Sequence, residues 1–359
     1  KIKEFNFGVD FSVLQNRINL TADTYRRLSD GQIMKATVPL ETGEGSITTN
    51  IGAVRNTGIE LGLNLGVIRN KNFTWDVNLA FARNWSKITE LPNGDDVSNN
   101  WFIGERLNVL RDYTSAGIIT TDGITMRTKD GDRHYTLQEV YDTFGPGGQG
   151  LKWYEGQMAV NDWNNDGKIN DEDKQIFGCT DPKWTGSLSS TMTYKGFDFS
   201  FMLYTKQGQW SRSYFHEQYM NYGDRGRQKV NFDYYIPAGT PVLDKNTGDV
   251  TYLSEAHIGK YPYPNNTEKT GGGYFSSSSA AVRYHKTSFV KVKNITLGYT
   301  FPKAWLSKIA VKHLRLYVNV INPFCFTDYE GFDPEWASAN LTNGGPASVT
   351  YQIGANIKF

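Results

Sequence analysis

Ser348-Val-Thr-Tyr-Gln-Ile-Gly-Ala-Asn-Ile-Lys-Phe359 decides the reading of the fold. Val349, Tyr351, Ile353, Ala355, Ile357 and Phe359 are apolar. Ser348, Thr350, Gln352, Gly354, Asn356 and Lys358 are small, polar or charged. A strict period of two is the signature of a strand with one face in an apolar medium and one in a polar medium. A tilted strand of about 9–11 residues crosses a bilayer, so this segment is long enough. The question it poses is how often the pattern recurs upstream.

Composition leaves that question open. Formal net charge over 359 residues is +1, which implies no nucleic-acid or other polyanionic partner. Hydrophobic residues make up 38% and mean hydropathy is -0.52. No run of about 18 apolar residues exists, which excludes a transmembrane helix but not a barrel, whose strands are half polar. Aromatic content is 14%, suited to interfacial girdles, core packing or sugar stacking. Cys179 and Cys325 show no spacing that demands a disulfide, and His134, His216, His257, His285 and His313 are scattered without metal-ligand spacing. The chain starts at Lys1 without a signal peptide and runs straight into a strand pattern, so the start reads as internal to something longer.

The alternation recurs in pairs. Phe5, Phe7, Val9, Phe11 and Val13 lie on one face of a strand, Gln15-Asn16 turns, and Ile18, Leu20 and Ala22 return. Ile59, Leu61, Leu63, Leu65 and Val67 are followed by the polar turn Arg69–Asn72 and by Phe73, Trp75, Val77, Leu79 and Phe81. Leu188, Met192 and Tyr194 precede the turn Lys195-Gly196, and Phe197, Phe199, Phe201 and Leu203 follow it. Val290 and Val292, then Ile295, Leu297, Tyr299 and Phe301, change phase at Lys293-Asn294, which predicts a bulge. Leu314, Leu316, Val318 and Val320 lead towards the final strand. That makes nine strands.

Their connections fall into two lengths. Strands one to two, three to four, five to six and seven to eight have short links. The remaining links run from about two dozen to about a hundred residues, with long excursions over 84–183 and 208–281. Short turns on one side and long loops on the other are the habit of outer-membrane barrels. A sandwich also alternates, but has little reason to segregate loop lengths. Further strands within 84–183 would have to come in pairs, giving nine or eleven in total. Either number is odd, whereas single-chain bacterial barrels have an even number, and an unclosed wall leaves bare edges that lipid does not tolerate. The expectation is an all-β transmembrane antiparallel barrel of which residues 1–359 supply one portion.

One motif carries chemistry. Asp162-Trp-Asn-Asn-Asp-Gly-Lys-Ile-Asn-Asp-Glu-Asp173 fits a calcium loop. Asp162, Asn164, Asp166, Asn170 and Asp173 offer side-chain oxygens, Lys168 its backbone carbonyl, and Gly167 the sharp turn. Hard oxygens wrapped round one point are what calcium requires. Asp173 stands where an EF-hand has a bidentate Glu, as in dockerin-type loops, and the flanks do not read as two helices. The other reading is a polar loop of Asx-turns that needs no ion. A bound calcium would pin the loop, not catalyse. No catalytic set is found: Ser, His and Asp residues show no nucleophile elbow, so no enzyme is expected.

Several stretches together resemble the SusC/RagA-type TonB-dependent outer-membrane transporters. They are Ile51-Gly-Ala-Val-Arg-Asn-Thr-Gly-Ile-Glu60; Asp162 through Gly178 and on to Gly186; Tyr194-Lys-Gly-Phe-Asp-Phe-Ser200; Ser288-Phe-Val-Lys-Val-Lys-Asn-Ile-Thr-Leu-Gly-Tyr-Thr-Phe-Pro302; Leu314 through Asn322; and Tyr329-Glu-Gly-Phe-Asp-Pro-Glu335. Their order spans nearly the whole chain. The resemblance implies a plugged barrel of the 22-stranded size, import of oligosaccharides or peptides across a Gram-negative outer membrane, a SusD-like lipoprotein over the outside loops, and energy from the TonB complex. Plug domain and TonB box are not in this sequence, so it reads as the C-terminal 9–11 strands. Trp101, Tyr154, Trp210, Tyr214 and Tyr222 are the loop aromatics expected to meet substrate, each with loop packing or a girdle role as the plainer alternative. The alternative for the whole chain is a soluble or secreted calcium-stabilised β-sandwich that binds carbohydrate.

Overall fold

The computed structural model describes residues 1–31, 33–37, 46–50, 52–145, 150–219, 233–244, 246–263, 283–307, 311–338 and 348–359, with side chains left aside at 33–37, 46–50, 153 and 217–219. Nine strands form one antiparallel sheet in chain order: β1 (Ile2–Val13), β2 (Ile18–Asp30), β3 (Ala53–Arg69), β4 (Phe73–Glu90), β5 (Trp184–Tyr194), β6 (Phe197–Gln207), β7 (Phe289–Thr300), β8 (His313–Phe326) and β9 (Thr350–Lys358). Every strand pairs with its predecessor, so β2 to β8 each have a neighbouring strand on both sides, although Arg83–Glu90 of β4 pair only with β3. β1 and β9 pair along one edge each. A sandwich would divide these strands between two facing sheets; they form one.

Register aligns the apolar faces. Val13 pairs with Ile18, Ile18 with Leu65, Leu65 with Val77, Val77 with Ser190, Ser190 with Phe201, Phe201 with Ile295, Ile295 with Val320 and Val320 with Tyr351. Ser190 is the single polar member of that row, and Trp75 Nε1 donates to its hydroxyl at 2.9 Å. Partners in an antiparallel ladder share a face, so one surface of the sheet is an apolar band. Ile353 on β9 is 87% exposed on it.

The short-turn end of this face is aromatic. Phe73 meets Tyr194 at 6.4 Å between centroids, Phe197 meets Tyr299 at 4.5 Å, Tyr299 meets Phe301 at 5.0 Å and Phe301 meets Trp305 at 6.3 Å. The turns themselves are tight. Lys195 and Gly196 have φ of 46° and 92°, the left-handed pair of a two-residue hairpin. Asn70 Oδ1 accepts the amides of Asn72 and Phe73.

The opposite face is a polar ladder. Ser12 donates to Asn19 at 2.7 Å, Thr74 meets Thr193 at 2.5 Å, Thr296 donates to Asn319 at 2.9 Å and Asn319 to Gln352 at 3.0 Å. Arg27–Glu4, Arg69–Asp76 and Arg315–Asp198 are ion pairs on this face. Gly354 belongs here because the Tyr317 ring of β8 lies where its Cβ would be.

The bulge falls where the sequence places it. Val292 pairs with Leu203 and Asn294 with Met202, leaving Lys293 outside the ladder. Valines above it and Ile295, Leu297 and Tyr299 below it thereby share the apolar face.

Two sequence expectations change. β2 and β4 extend well past the alternating segments, and the excursion expected over 84–183 starts only after Glu90. At 18 residues β4 is about 60 Å long, far more than a bilayer crossing. Arg83, Asn84, Ser86, Lys87, Thr89 and Glu90 break the alternation in its outer half, which hides the strand from a periodicity reading. Short strands within that excursion pair with one another and not with the wall, so the described wall has nine strands and not eleven.

The face assignment predicts that Ile353→Arg hinders insertion of the full-length protein into lipid vesicles, since Arg costs roughly 2–4 kcal/mol at a bilayer midplane. Gln352→Arg is expected to be milder. The heat-modifiable shift in gel mobility reads both, and equal effects would refute the faces assigned.

Candidate metal centre and loop surfaces

Between β4 and β5 the chain builds a small core of its own. The hairpin Ile124–Thr128 with Gly131–Tyr135 leads into a helix, Leu137–Phe144, opened by a capping box of Thr136 and Glu139. Val109–Asp112 pairs with Gln175–Cys179, and Ser115–Ile118 with Met158–Val160. Ile119, Met126, Tyr135, Val140, Phe144, Tyr154, Val160 and Ile169 are buried together.

Ile169 lies inside the calcium-like motif, so the loop is moored to this core. Asp162 is 0% exposed. Its Oδ1 accepts the Asp166 amide at 3.2 Å and its Oδ2 the Gly167 amide at 3.0 Å. Asn164 Oδ1 accepts from the Asp166 amide, Asp166 Oδ1 from Lys168 and Asn170 Oδ1 from Glu172. Asp173 closes the ring: its carboxylate accepts the Asn164 amide at 3.3 Å and the Asn170 amide at 2.8 Å. Asn165 and Gly167 have φ of 63° and 78°, and glycine adopts such a conformation without strain. Arg133 Nη1 donates to Asn165 at 3.0 Å, tying loop to hairpin.

Asp162 and Asp173 are both fully buried. Burial pushes the Asp173 carboxyl up, against backbone hydrogen bonds from Asn170 and Asn164, and the charge of Asp162 pushes the same way. Two buried carboxylates in one loop are a donor set that a divalent cation would relieve. Among the described residues no group of three Asp, Glu, His or Cys side chains converges. A cation here would therefore draw its remaining oxygens from Asn164, Asp166, Asn170 and the Lys168 carbonyl.

Beyond this unit, two clusters pin loops to the wall. The first joins the segment Ser288–Pro302 to the segment Tyr329–Glu335. Lys291, 2% exposed on the polar face of β7, donates to both oxygens of Asp333 at 2.9 Å and to Glu335. Lys293, freed by the bulge, donates to Glu335 at 3.0 and 2.8 Å.

The second cluster joins four loop segments. Ser213 Oγ lies 2.6 Å from His216 Nδ1 and 2.5 Å from the Tyr329 hydroxyl. Tyr261 meets His216 Nε2 at 3.2 Å and donates to Glu330, which also accepts from Lys260 at 2.7 Å. His285 stacks on His216 with centroids 3.6 Å apart. Burial, with His285 and Lys260 adding to it, pushes His216 down to about 2. Burial also raises the Tyr261 hydroxyl, with Glu330 adding to it. Ser213 and His216 stand at the spacing of a nucleophile and its base, but both are fully buried and serve as a pin.

The expected substrate aromatics do not meet in one place. Trp101 is half-buried against Val54, Ile88 and Leu91 at the top of β3 and β4. Tyr154 corrects the sequence reading: it is fully buried in the loop core, edge-on to Tyr141, and offers no face to a ligand. Trp210 packs edge-on against Phe177 at 5.4 Å with Lys286 over its ring. Tyr214 is half-buried with Arg212 over its ring. Tyr222 lies outside the described residues.

Sequence reasoning passed over Trp163 and Phe177, which line a groove of about 380 Å³ with Arg127, Asp132, Asn161 and Gln175. Trp163 sits inside the calcium-like motif, and its neighbours were read only as ligands. On the polar face of the wall, a second hollow of about 320 Å³ lies where Gly62, Ala80 and Ala82 leave room beside Asp23 and Glu60.

No family model matches the chain. TonB-dependent receptor P39 of Formosa agariphila is 28% identical over 383 residues, covering 99% of this chain and 35% of that protein. TonB-dependent receptor SusC of Bacteroides thetaiotaomicron is 29% identical over 362 residues, covering 100% of this chain and 32% of that protein. Among solved structures, the RagAB peptide transporter matches 100% of this chain and 35% of its own, with a TM-score of 0.64 at 20% identity. The chain thus spans about a third of the length of the curated relatives it matches. The structural likeness shows the fold: the nine-stranded sheet is part of a β-barrel wall.

Lys291→Met is expected to destabilise the attachment of 327–338 by about 3–5 kcal/mol, because it strands buried carboxylates. Limited proteolysis of that segment measures it, and adding Asp333→Leu should restore most of the protection. The His216 cluster makes a pH prediction. Its folded pKa lies far below the unfolded 6.5, so its contribution is complete above 6.5 and is lost as pH falls from there towards about 2. Protection factors in 210–219, corrected for the base-catalysed intrinsic exchange rate, should therefore fall as pH is lowered from about 7.5 to about 5, while those of 124–135 hold.

Proposed function

We propose that this chain is the C-terminal wall and outside-loop portion of a SusC-like, TonB-energised importer in a Gram-negative outer membrane. The observation that carries this reading is the apolar row running through all nine strands, in a chain matched over its whole length by TonB-dependent receptors. The apolar face meets lipid and the polar ladder faces the lumen. The long excursions stand outside, where a SusD-like lipoprotein covers them. The plug and TonB box that would connect transport to the TonB complex belong to sequence beyond these residues.

The cargo is an oligosaccharide or a peptide. The groove of Trp163 and Phe177 offers rings for stacking, with Asn161, Gln175, Arg127 and Asp132 as hydrogen-bonding groups at its margin. Asp162, Asn164, Asp166, Lys168, Asn170 and Asp173 hold a structural calcium that fixes this groove. A bound ion would supply positive charge to the buried carboxylates; the chain's own contribution is to hold Trp163, within the loop, beside the hairpin residues Arg127 and Asp132.

Growth of a strain lacking the full-length protein, complemented by the wild type or by Trp163→Ala, tests the reading on defined oligosaccharides and on peptides as sole nutrient. Uptake that needs TonB and falls about tenfold or more in W163A is expected for one of the two classes, in line with about 1–3 kcal/mol for a stacking ring. A protein recovered from the soluble fraction without detergent would sink the membrane assignment. For calcium, chelation should accelerate hydrogen exchange across 160–175, and D162N/D173N should abolish that response while leaving the wall strands protected.

A further inference from the structure

We infer that the outward face of β1–β4, just above the apolar band, is a docking surface for a phosphate-bearing glycolipid of the outer leaflet. The inference rests on the membrane reading above. Register places the residues. Phe7, Thr24, Ile59 and Arg83 share one row; Phe5, Arg26, Thr57 and Trp85 the next; Lys3, Leu28, Arg55 and Lys87 the one after. These rows continue the apolar face towards the long-loop end. Five cations thus stand on four adjacent strands within three register rows. Rows on one face are about 7 Å apart along a strand and strands about 4.8 Å apart across the sheet, so the five form one patch.

The arginines of the two faces are treated differently, while Lys206 and Lys358 on the polar face also lack a carboxylate partner among the described residues. On the polar face Arg27, Arg69 and Arg315 are each paired with a carboxylate. On the outward face, among the described residues, none of Lys3, Arg26, Arg55, Arg83 or Lys87 has a carboxylate partner. Four of them are exposed and Arg55 is half-buried. Arg83 lies over the exposed Trp85 ring at 4.5 Å, an arrangement suited to the depth where a bilayer turns from hydrocarbon to headgroup.

The shape fits an amphiphile. A groove of about 440 Å³ runs between Lys3, Arg26 and Arg55, with Phe5, Leu28 and Thr89 in its wall; the one carboxylate that lines it, Glu4, is already paired with Arg27. Its apolar side is continuous with the band below. An acyl chain would lie along the band while phosphate oxygens reach the guanidinium groups, which bind phosphate in fork geometry. An acidic protein partner would have to sit in the plane of the membrane to reach the same groups, so charge and continuity together favour the lipid.

The test uses the full-length protein in detergent, titrated with diphosphorylated lipid A, with its dephosphorylated form and with phosphatidylglycerol, and read by native mass spectrometry. Retention of the diphosphorylated form about tenfold above the other two is expected, with a loss of that advantage in R26Q/R55Q/R83Q. The charge-matched control K71Q/K129Q/K152Q should keep it. Single variants R26Q and K87Q, each expected to lose part of the advantage, decide the matter if the triple variant fails to show heat-modifiable mobility. Equal retention of the dephosphorylated form, or an unchanged triple variant, would overturn the inference. Equal retention of phosphatidylglycerol would overturn its glycolipid part. A protein soluble without detergent defeats the membrane reading itself, whereas an embedded protein indifferent to phosphate defeats only this inference.

Discussion

A backbone amide in hydrocarbon has no water to turn to, so each N–H and C=O must find a partner along the neighbouring strand. In the membrane reading, the rest of this chain follows from meeting that demand with nine antiparallel strands. The ladder fixes register, register fixes which residues share a row, and the rows separate an apolar surface from a polar one. A slip of one residue in any strand would invert its faces. The single irregularity at Lys293 is therefore placed where it keeps the faces matched on both sides of it.

Pins on the polar side hold what the ladder cannot. Loop segments have no repeating hydrogen bonds, and the structure fastens them with buried charge and buried hydroxyls. Lys291 and Lys293 balance Asp333 and Glu335, so that cluster carries no net charge. His216 is kept neutral by its surroundings and bridges Ser213 to Tyr261. In the loop between β4 and β5 a small apolar core performs the same task, and the calcium-like motif hangs from it by Ile169.

Much of the wall was legible because two media imprint a period of two. All nine strands, the turn at Lys195-Gly196 and the bulge at Lys293 are visible in the order of residues. The outer halves of β2 and β4 were not, since polar residues such as Arg26, Arg27, Arg83 and Lys87 fall on both faces and nothing alternates. The site was harder to read. Asp162 and Asp173 announce themselves by spacing, but Tyr154 looked like a ligand platform until its burial was seen. The pairing of Lys291 with Asp333 joins residues far apart in the chain, and only the fold brings them together. Trp163 and Phe177 carry no local signal as a pair; a groove made by Gln175–Cys179 folding back on Val109–Asp112 has to exist first.

The aromatic belt at one end of the apolar face and the cations at the other also fix a length. From Phe73, beside Tyr194, to Arg83 is ten steps along β4. At about 3.3 Å per residue that is about 33 Å of strand, and a tilt of 35–45° reduces it to about 25 Å of vertical height. Bilayers average about 30 Å of hydrocarbon, and the bacterial outer membrane is thinner than average. In the membrane reading, β4 is cut to the thinner bilayer, and a thicker one would have to thin locally around it or draw Arg83 into its acyl region. The sequence carries in one strand a gauge of the membrane for which it is built.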